Sequence, residues 1–358
     1  MAKIIVGLSG GVDSAVACKL LLDQGFKVEA AFMKNWEEDD TDQYCSAAQD
    51  LKDAKNIAHT LGIKLHTVNF ATEYWQKVFK YFLKEFERGR TPNPDVLCNK
   101  EIKFKEFLNF AQSLGASKIA TGHYARIKPS SGAMQLKRGK DVNKDQSYFL
   151  HLLSQYQLAH AVFPLGELTK PQVRALAKAH GFEIAHKKDS TGICFIGKRD
   201  FRQFLSQFIP AQKGEIKTSN GELIGEHIGL MFYTLGQRKG LQIGGHKNYP
   251  DAPWYVLKKD LERNELIVGQ NPKDQLLASK KVEIEQTNWI NRPDKYPFDC
   301  LAQTRYRQQA QSCRLLSANN KNAVVEFTQE QYAITPGQSL VFYSKDQCLG
   351  GGTINANY

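Results

Sequence analysis

The sequence has few cysteines, and none of its seven lies in a C-x-x-C pair. Cys300 and Cys313 are the two closest together in the chain. Zinc knuckles, zinc ribbons and iron–sulfur sites built on C-x-x-C ligand pairs are therefore disfavoured. An odd number of cysteines also argues against a secreted disulfide framework and leaves room for chemically active thiols.

Long apolar runs are absent as well. The longest run near the amino terminus, residues 4–8, is too short for the apolar core of a signal peptide. No stretch approaches the roughly 18 apolar residues that a membrane-spanning helix needs. We therefore expect a cytoplasmic protein that does not enter a membrane and whose thiols stay reduced.

The composition is that of a globular protein, with 42% hydrophobic and 24% charged residues in a chain of 358. At roughly 150 residues per domain, this length predicts two to three domains. The formal net charge is +11, and the surplus is concentrated in residues 51–206, which carry 26 basic and 13 acidic side chains. Such a stretch favours a polyanionic partner, with a solvated basic face as the alternative.

Apolar patterning in the first two hundred residues alternates between strands and helices. The predicted strands are 3–8, 27–33, 64–70 and 118–125, and the predicted helices are 12–24, 41–61, 72–87, 93–114, 146–158, 170–180 and 199–208. Residues 126–144 predict a basic hairpin, and residues 189–197 a loop. This alternation predicts an α/β domain with a doubly wound parallel sheet.

The pattern changes after residue 208. Glycines punctuate short β-like runs up to about residue 278, and polar turns then separate strands predicted at 281–290, 301–305, 323–327 and 339–343. We therefore predict three domains: an α/β domain over 1–208, a small central domain over 209–278 and a C-terminal β-barrel over 279–358.

The sharpest motif is Leu8-Ser9-Gly10-Gly11-Val12-Asp13-Ser14, between the first strand and the first helix. It is neither a Walker A motif nor G-x-G-x-x-G. Its glycines let backbone N–H groups approach an anion, and the helix amino terminus adds partial positive charge. This arrangement predicts phosphate binding, with a tight turn that merely needs glycine as the alternative.

A second motif surrounds Cys98. Asn93 and Pro94 suit a helix start, and Asp95 precedes Cys98 by one turn. The helix dipole, together with Lys100 and Lys103, predicts a Cys98 thiolate beside an acid/base group. The residues alone leave open that Cys98 is an ordinary buried cysteine.

A third motif, residues 189–197, places Cys194 in a Gly- and Ser/Thr-rich loop. Two thiols brought together by such a loop can form a transient catalytic disulfide. Taken alone this is weak evidence, since many loop cysteines have no role in catalysis.

These motifs together resemble the bacterial tRNA-specific 2-thiouridylases, a family of the PP-loop pyrophosphatases. The resemblance runs in order over nearly the whole chain. It rests on residues 9–14, 33–36, 90–104, 121–124, 144–148, 192–195, 233–240 and 335–338. It implies an adenine nucleotide alpha hydrolase-like PP-loop domain and ATP-dependent conversion of a wobble uridine to 2-thiouridine.

The resemblance also implies roles for individual residues. Cys194 would carry sulfur as a persulfide, Cys98 would be the partner thiol that releases it, and Asp95 would be the acid/base group. ATP, accompanied by Mg²⁺ for which the sequence assigns no ligands, would be bound by Gly7, Leu8, Ser9, Gly10, Gly11, Val12, Asp13, Ser14, Met33 and Gly122. The tRNA contacts would be Asn93, Pro94, Asp95, His123, Lys144, Asp145, Gln146, Arg305, Tyr306 and Gln338.

The same resemblance implies a sulfur-relay donor protein as a further partner, and a monomer. Tyr332 departs from the family pattern, where an arginine is expected. Two other functions stay open at this point. One is a PP-loop synthetase that forms amides with ammonia and needs no thiol pair. The other is an RNA-binding protein with an idle nucleotide site.

Overall fold

A computed structural model describes residues 2–37, 46–188 and 201–358. The strands are β1 (Lys3–Gly7), β2 (Lys27–Lys34), β3 (Leu65–Asn69), β4 (Lys118–Ala120), β5 (Ala125–Ser130), β6 (Ala133–Arg138), β7 (Ala161–Val162), β8 (Gly214–Thr218), β9 (Leu223–His227), β10 (Tyr255–Asp260), β11 (Glu265–Gly269), β12 (Ala278–Trp289), β13 (Phe298–Gln303), β14 (Gln311–Ala318), β15 (Asn322–Tyr332), β16 (Ser339–Ser344) and β17 (Gln347–Asn357). The α-helices are α1 (Val12–Asp23), α2 (Ser46–Leu61), α3 (Ala71–Tyr74), α4 (Lys80–Glu87), α5 (Pro94–Leu97), α6 (Phe107–Ser113), α7 (Gln155–Ala159), α8 (Lys170–Ala179) and α9 (Phe201–Leu205).

The first sheet is parallel throughout, with strand order β3-β2-β1-β4-β7. Its central strand β1 is apolar on both faces, and Ile5 and Val6 are completely buried. Because helical connections cover both faces, such a strand carries no polar side. The doubly wound sheet predicted from the sequence is confirmed, and chain order reverses at β1, between β2 and β4.

Two predicted helices are present but contain π-helical turns. The helix predicted over 72–87 runs from α3 through a π stretch, Trp75–Phe79, into α4. The helix predicted over 93–114 runs from α5 through the longer π stretch Cys98–Glu106 into α6. A repeat of 3.6 residues does not distinguish the wider helix from an α-helix, so the sequence pattern missed both.

Two other predictions are wrong in their bounds. The strand predicted over 118–125 ends at Ala120, and Ala125 begins β5 in a different sheet. The helix predicted over 146–158 is a 3-10 turn, Ser147–Leu150, followed by α7. Ser154 caps α7 and forms a capping box with Gln157, which fixes a new helix start inside the predicted one.

Three further helices are shorter than predicted or partly outside the description. The prediction over 170–180 corresponds to α8, which ends at Ala179. The starts of two other predicted helices lie outside the described residues, at 41–45 and 199–200. The whole predicted loop, 189–197, also lies outside them.

The remaining chain forms two β structures. A four-stranded sheet with order β10-β11-β8-β9 makes the centre of the small domain. Six strands then close into a barrel in the order β12-β15-β14-β13-β16-β17, with β17 pairing back to β12. The C-terminal barrel is confirmed, and β14 and β17 are strands that the sequence patterns missed.

The predicted basic hairpin is β5–β6, and it does not extend the parallel sheet. Its second strand pairs with β17, so the amino-terminal half of the chain contributes to the barrel sheet. Arg126 and Lys137 both bind Asp346, which fixes the hairpin to the barrel. In the described part of the chain, the helices are too short or too polar to cross a bilayer.

Candidate functional site

The loop between β1 and α1 has the geometry of an anion site. Gly10 has φ +73°, and a Cβ there would lie 2.3 Å from the carbonyl oxygen of Asp50, so glycine is required. Gly11 is the N-cap of α1 and has no side chain to cover the first backbone N–H groups. These groups remain available to a ligand at the positive end of the helix.

The two serines of the loop hold its shape. Ser14 Oγ accepts a hydrogen bond from the backbone N–H of Ser9 at 3.2 Å and donates one to the carbonyl of Gly11 at 3.0 Å. The two serine hydroxyls are 3.3 Å apart. The loop is therefore closed by its own side chains before any ligand binds, which reduces the ordering cost of binding.

The structure brings the other predicted nucleotide residues to this loop. A Cβ on Gly7 would lie 3.1 Å from Cε of Met33, at the carboxyl end of β2. A Cβ on Gly122, just after β4, would lie 2.9 Å from the backbone carbon of Asp13. The set thus gathers at the carboxyl ends of β2, β1 and β4, where the chain order reverses and ligands of such sheets bind.

The carboxylate of Asp13 forms an ion pair with a lysine, which the sequence did not predict. It accepts two hydrogen bonds from Nζ of Lys170, at 2.7 and 2.8 Å, and one from the hydroxyl of Tyr124 at 2.8 Å. The Lys170 side chain is only 9% exposed. An anion at the loop therefore does not meet an uncompensated carboxylate.

A second lysine supports the loop from behind. Lys187 donates to the carbonyl of Gly10 at 3.2 Å and binds Asp50 and Asp53 at 2.8 and 2.6 Å. Burial opposes its charge, yet its bonds to the two carboxylates raise the pKa of Lys187. Neither Lys170 nor Lys187 lies in a motif, so the sequence carried no signal for them.

The segment around Cys98 folds as its capping residues predict. Asn93 Oδ1 accepts a hydrogen bond from the backbone N–H of Asp95 at 3.2 Å, and Pro94 begins α5. Cys98 follows at the start of the π stretch and is completely buried. Asp95 and Cys98 therefore lie one turn apart, as expected.

The predicted thiolate at Cys98 is wrong for this conformation. Burial raises the pKa of the thiol to about 11, because Lys103 opposes the shift too weakly and Asp95 adds to it. The helix dipole acts mainly within the first turn, and Cys98 lies beyond α5, in the next stretch of helix. Cys194 lies outside the described residues.

The barrel closes over this segment. The backbone N–H of Thr91 donates to the carbonyl of Pro336 at 3.0 Å, and Gln338 Nε2 donates to the carbonyl of Thr91 at 2.7 Å. The cavity left beside Asn93 measures about 20 Å³, room for about one water molecule and too little for a nucleobase. A nucleobase requires this junction to open.

Arg305 and Tyr306 lie between domains. The Arg305 guanidinium donates to the carbonyls of Leu235 and Ala333 at 2.8 and 2.7 Å. The ring of Tyr306 packs on Phe149, with centroids 4.4 Å apart. Both residues therefore join the barrel to its neighbouring domains. Their contact with tRNA stays a prediction.

Residues 144–146 and His123 have partners inside the protein. Both carboxylate oxygens of Asp145 accept hydrogen bonds, from Arg138 and Ser147 among others, and Asp145 is 7% exposed. Gln146 Oε1 accepts from the backbone N–H of Tyr124 at 3.0 Å. Burial lowers the pKa of His123 well below its usual value, so this imidazole is neutral near pH 7.

The described residues contain no cluster of three or more His, Cys, Asp or Glu side chains that could hold a metal ion. A larger concavity, of about 570 Å³, lies in the central domain along residues 238–254. None of the residues lining it belongs to the predicted site.

Comparison with protein families gives three matches in chain order. Residues 2–198 match a family model described as "tRNA methyl transferase HUP domain". Residues 202–270 match "tRNA methyl transferase PRC-barrel domain", and residues 279–354 match "Aminomethyltransferase beta-barrel domain". The matches cover nearly the whole chain.

Curated relatives agree over the full length. The chain is 58% identical over 352 residues to "tRNA-specific 2-thiouridylase MnmA" of Vesicomyosocius okutanii, covering 98% of this chain and 97% of the relative. It is 57% identical to the protein of the same name from Tolumonas auensis, covering 99% and 97%. A solved "U34-tRNA thiolase NcsA from Methanococcus maripaludis" aligns with a TM-score of 0.36 and 19% identity over 57% of this chain and 64% of that one, too weak to bear on function.

Proposed function

The chain belongs to the tRNA-specific 2-thiouridylase family, and we propose that it converts a tRNA uridine to 2-thiouridine at the expense of ATP. The observation that carries this is full-length identity of 55–58% to relatives with that name. The family models carry methyl-transfer names, but the chain that matches them aligns end to end with thiouridylases.

The loop from Gly7 to Ser14, with Met33 and Gly122, would bind ATP. Backbone N–H groups at the start of α1, which Gly11 cannot cap with a side chain, and an Asp13 carboxylate paired with Lys170 suit a polyphosphate. In the reaction, the uracil C2 oxygen attacks the α-phosphorus and pyrophosphate leaves. Magnesium would shield the charge of the phosphates, and its protein ligands stay unassigned.

Sulfur transfer would use Cys194 and Cys98. The outer sulfur of a Cys194 persulfide attacks C2, and AMP leaves with the former uracil oxygen. The Cys98 thiol then attacks Sγ of Cys194, which breaks the sulfur–sulfur bond and leaves sulfur on C2. A Cys98–Cys194 disulfide remains, and a thiol reductant reopens it. Asp95, one turn from Cys98, would act as the general acid/base beside the uracil.

The buried Cys98 and the small size of the cavity beside Asn93 make opening of the junction part of this proposal. The tRNA contacts beside that junction would be Asn93 and Pro94, next to Asp95, and Gln338, which is bound to Thr91. The further contacts would be those that the resemblance implies: Arg305, Tyr306, His123, Lys144, Asp145 and Gln146. A relay protein would supply the persulfide sulfur. The protein would act as a monomer in the cytoplasm, and the domain limits stay those predicted from the sequence.

The test is nucleoside mass spectrometry of unmodified tRNA incubated with protein, ATP, magnesium and inorganic polysulfide, whose sulfur–sulfur bond supplies sulfur at the oxidation level of a persulfide. We expect 2-thiouridine with the native chain and none with Cys98→Ser or Cys194→Ser, while tRNA affinity changes little. Cys348→Ser, at a buried cysteine of the barrel, is the control and should keep activity. Thiolation by both variants at native levels would refute the roles of the two thiols. AMP and pyrophosphate without 2-thiouridine would favour an amide-forming synthetase, and absence of AMP and pyrophosphate would favour a binding protein.

A further inference from the structure

Cys300 and Cys313 face each other in the barrel, outside the site described above. They are direct partners in the antiparallel register of β13 and β14. Their Sγ atoms are 3.6 Å apart. Since a disulfide needs about 2.05 Å and facing residues of such strands have Cβ atoms about 5 Å apart, small side-chain rotations and a slight approach of the strands close the bond.

The two thiols differ in access. Cys313 is 4% exposed and packs in the barrel core, whereas Cys300 lies at the edge of that core and is partly exposed. The contact with Cys300 and burial raise the pKa of the Cys313 thiol. An oxidant therefore meets Cys300 first, and Cys313 is placed to react second.

We propose that Cys300 and Cys313 are an oxidation site that closes to a reversible disulfide with oxidised glutathione or a similar disulfide. The Cys300 thiolate attacks one sulfur of the oxidant and releases one glutathione thiolate. The Cys313 thiol then attacks Sγ of Cys300, and its proton leaves on the thiol of the second glutathione. Two protein thiols are oxidised, and one oxidant disulfide is reduced to two thiols.

The bond would close the base of the hairpin loop that carries two of the predicted tRNA contacts. Strands β13 and β14 flank residues 304–310, which include Arg305 and Tyr306. A disulfide two residue pairs below this loop limits the separation of its strands in the unfolded and partly open chain. The proposal concerns oxidation of the barrel and does not depend on the thiolation activity.

Peptide mapping of the native chain tests the bond directly. Trypsin cleaves after Lys295, Arg305, Arg307 and Arg314, so the two cysteines fall in separate peptides, 296–305 and 308–314. After incubation with oxidised glutathione, alkylation and digestion, we expect these peptides joined by a disulfide, at a mass about 2 Da below their sum. Reduction should separate them.

The matched variant is Cys313→Ser, in which we expect a stable glutathione adduct on Cys300 instead of the linked peptides. Oxidation should raise the melting temperature of the native chain by about 5 °C and leave that of the variant unchanged. The proposal is wrong if both native cysteines remain alkylatable in a large excess of oxidised glutathione. It is equally wrong if Cys300 of the native chain accumulates the adduct, or if the linked form melts no higher than the reduced one.

Discussion

Asp13 shows how a single partner decides whether an acidic residue can sit in an anion site. Lys170 reaches it from the start of α8, far along the chain, and buries its own charge in doing so. The sequence motif contains the carboxylate without the lysine. The net charge that a phosphate meets at the Asp13–Lys170 pair is close to zero, whereas the motif alone suggests a negative charge.

Removing the lysine should therefore weaken ATP binding. We expect Lys170→Met to lower ATP affinity by about 10-fold or more, because the Asp13 carboxylate, left without its charged partner, then repels phosphate. Isothermal titration measures this, and Lys178→Met, exposed on the same helix, is the control. Adding Asp13→Asn to Lys170→Met should recover part of the affinity, and a further loss would contradict the role of charge.

His151 makes stability depend on pH. Its Nδ1 bonds the carbonyl of Tyr148 at 2.8 Å, and burial lowers its pKa from 6.5 to about 4. Because the unfolded chain binds a proton that the folded chain rejects, stability is full above pH 6.5 and falls as the pH drops towards 4. We expect the titration of His151 to lower the free energy of unfolding by about 2 kcal/mol when the pH falls from about 7.5 to 5.

Urea unfolding at the two pH values checks this. Asn at position 151 keeps a hydrogen-bond donor but does not titrate. On acidification, the free energy of unfolding of His151→Asn should therefore fall by about 2 kcal/mol less than that of the native chain. His160, partly exposed and bonded to the carbonyl of Tyr156, is the matched position. His160→Asn should retain the native pH profile, and parallel profiles for the native chain and His151→Asn would refute the assignment.

Among elements, the junction of the Thr91 segment with the barrel is where the structure adds most to the sequence. Gly337 has φ +92°, and a Cβ there would lie 2.9 Å from the backbone nitrogen of Thr91. The motif around Gly337 was recognised, but its partner across the junction was not. Contacts between residues so distant in sequence leave no periodic signal.

Gly337→Ala should force this junction apart. Gly132→Ala is the matched control, because Gly132 has φ +81° with open space around its Cβ position. The control should lose about 1–2 kcal/mol of stability from backbone strain alone. Gly337→Ala should lose more and should reduce thiolation beyond what its folded fraction explains. Equal effects of the two variants on stability and activity would show that the contact is unimportant.

Element type was predictable where one face or both faces of an element are apolar. The parallel sheet and α1 follow from their buried positions, and the loop from its glycines. The π stretch after Cys98 was not predictable, since its composition suits either helix. The attachment of β5–β6 to the barrel was also missed, because pairing with β17 is a property of the folded chain.

For the molecule as a whole, the net charge of +11 and the basic surplus of residues 51–206 bear on tRNA binding. Phosphate contacts release counterions, so affinity should fall at least ~100-fold between about 50 and 200 mM salt. Filter binding with one tRNA over that range measures the slope. A flat response would remove the basic stretch from the footprint and leave it a solvated face.

The central claim is that the nucleotide loop activates the uracil C2 oxygen for replacement by sulfur. It can be followed with tRNA carrying oxygen-18 at C2 of the target uridine, by mass spectrometry of the AMP released. The account predicts that each 2-thiouridine formed yields one AMP containing the heavy oxygen. Formation of 2-thiouridine with unlabelled AMP would contradict it, because the oxygen would then have left C2 by another route.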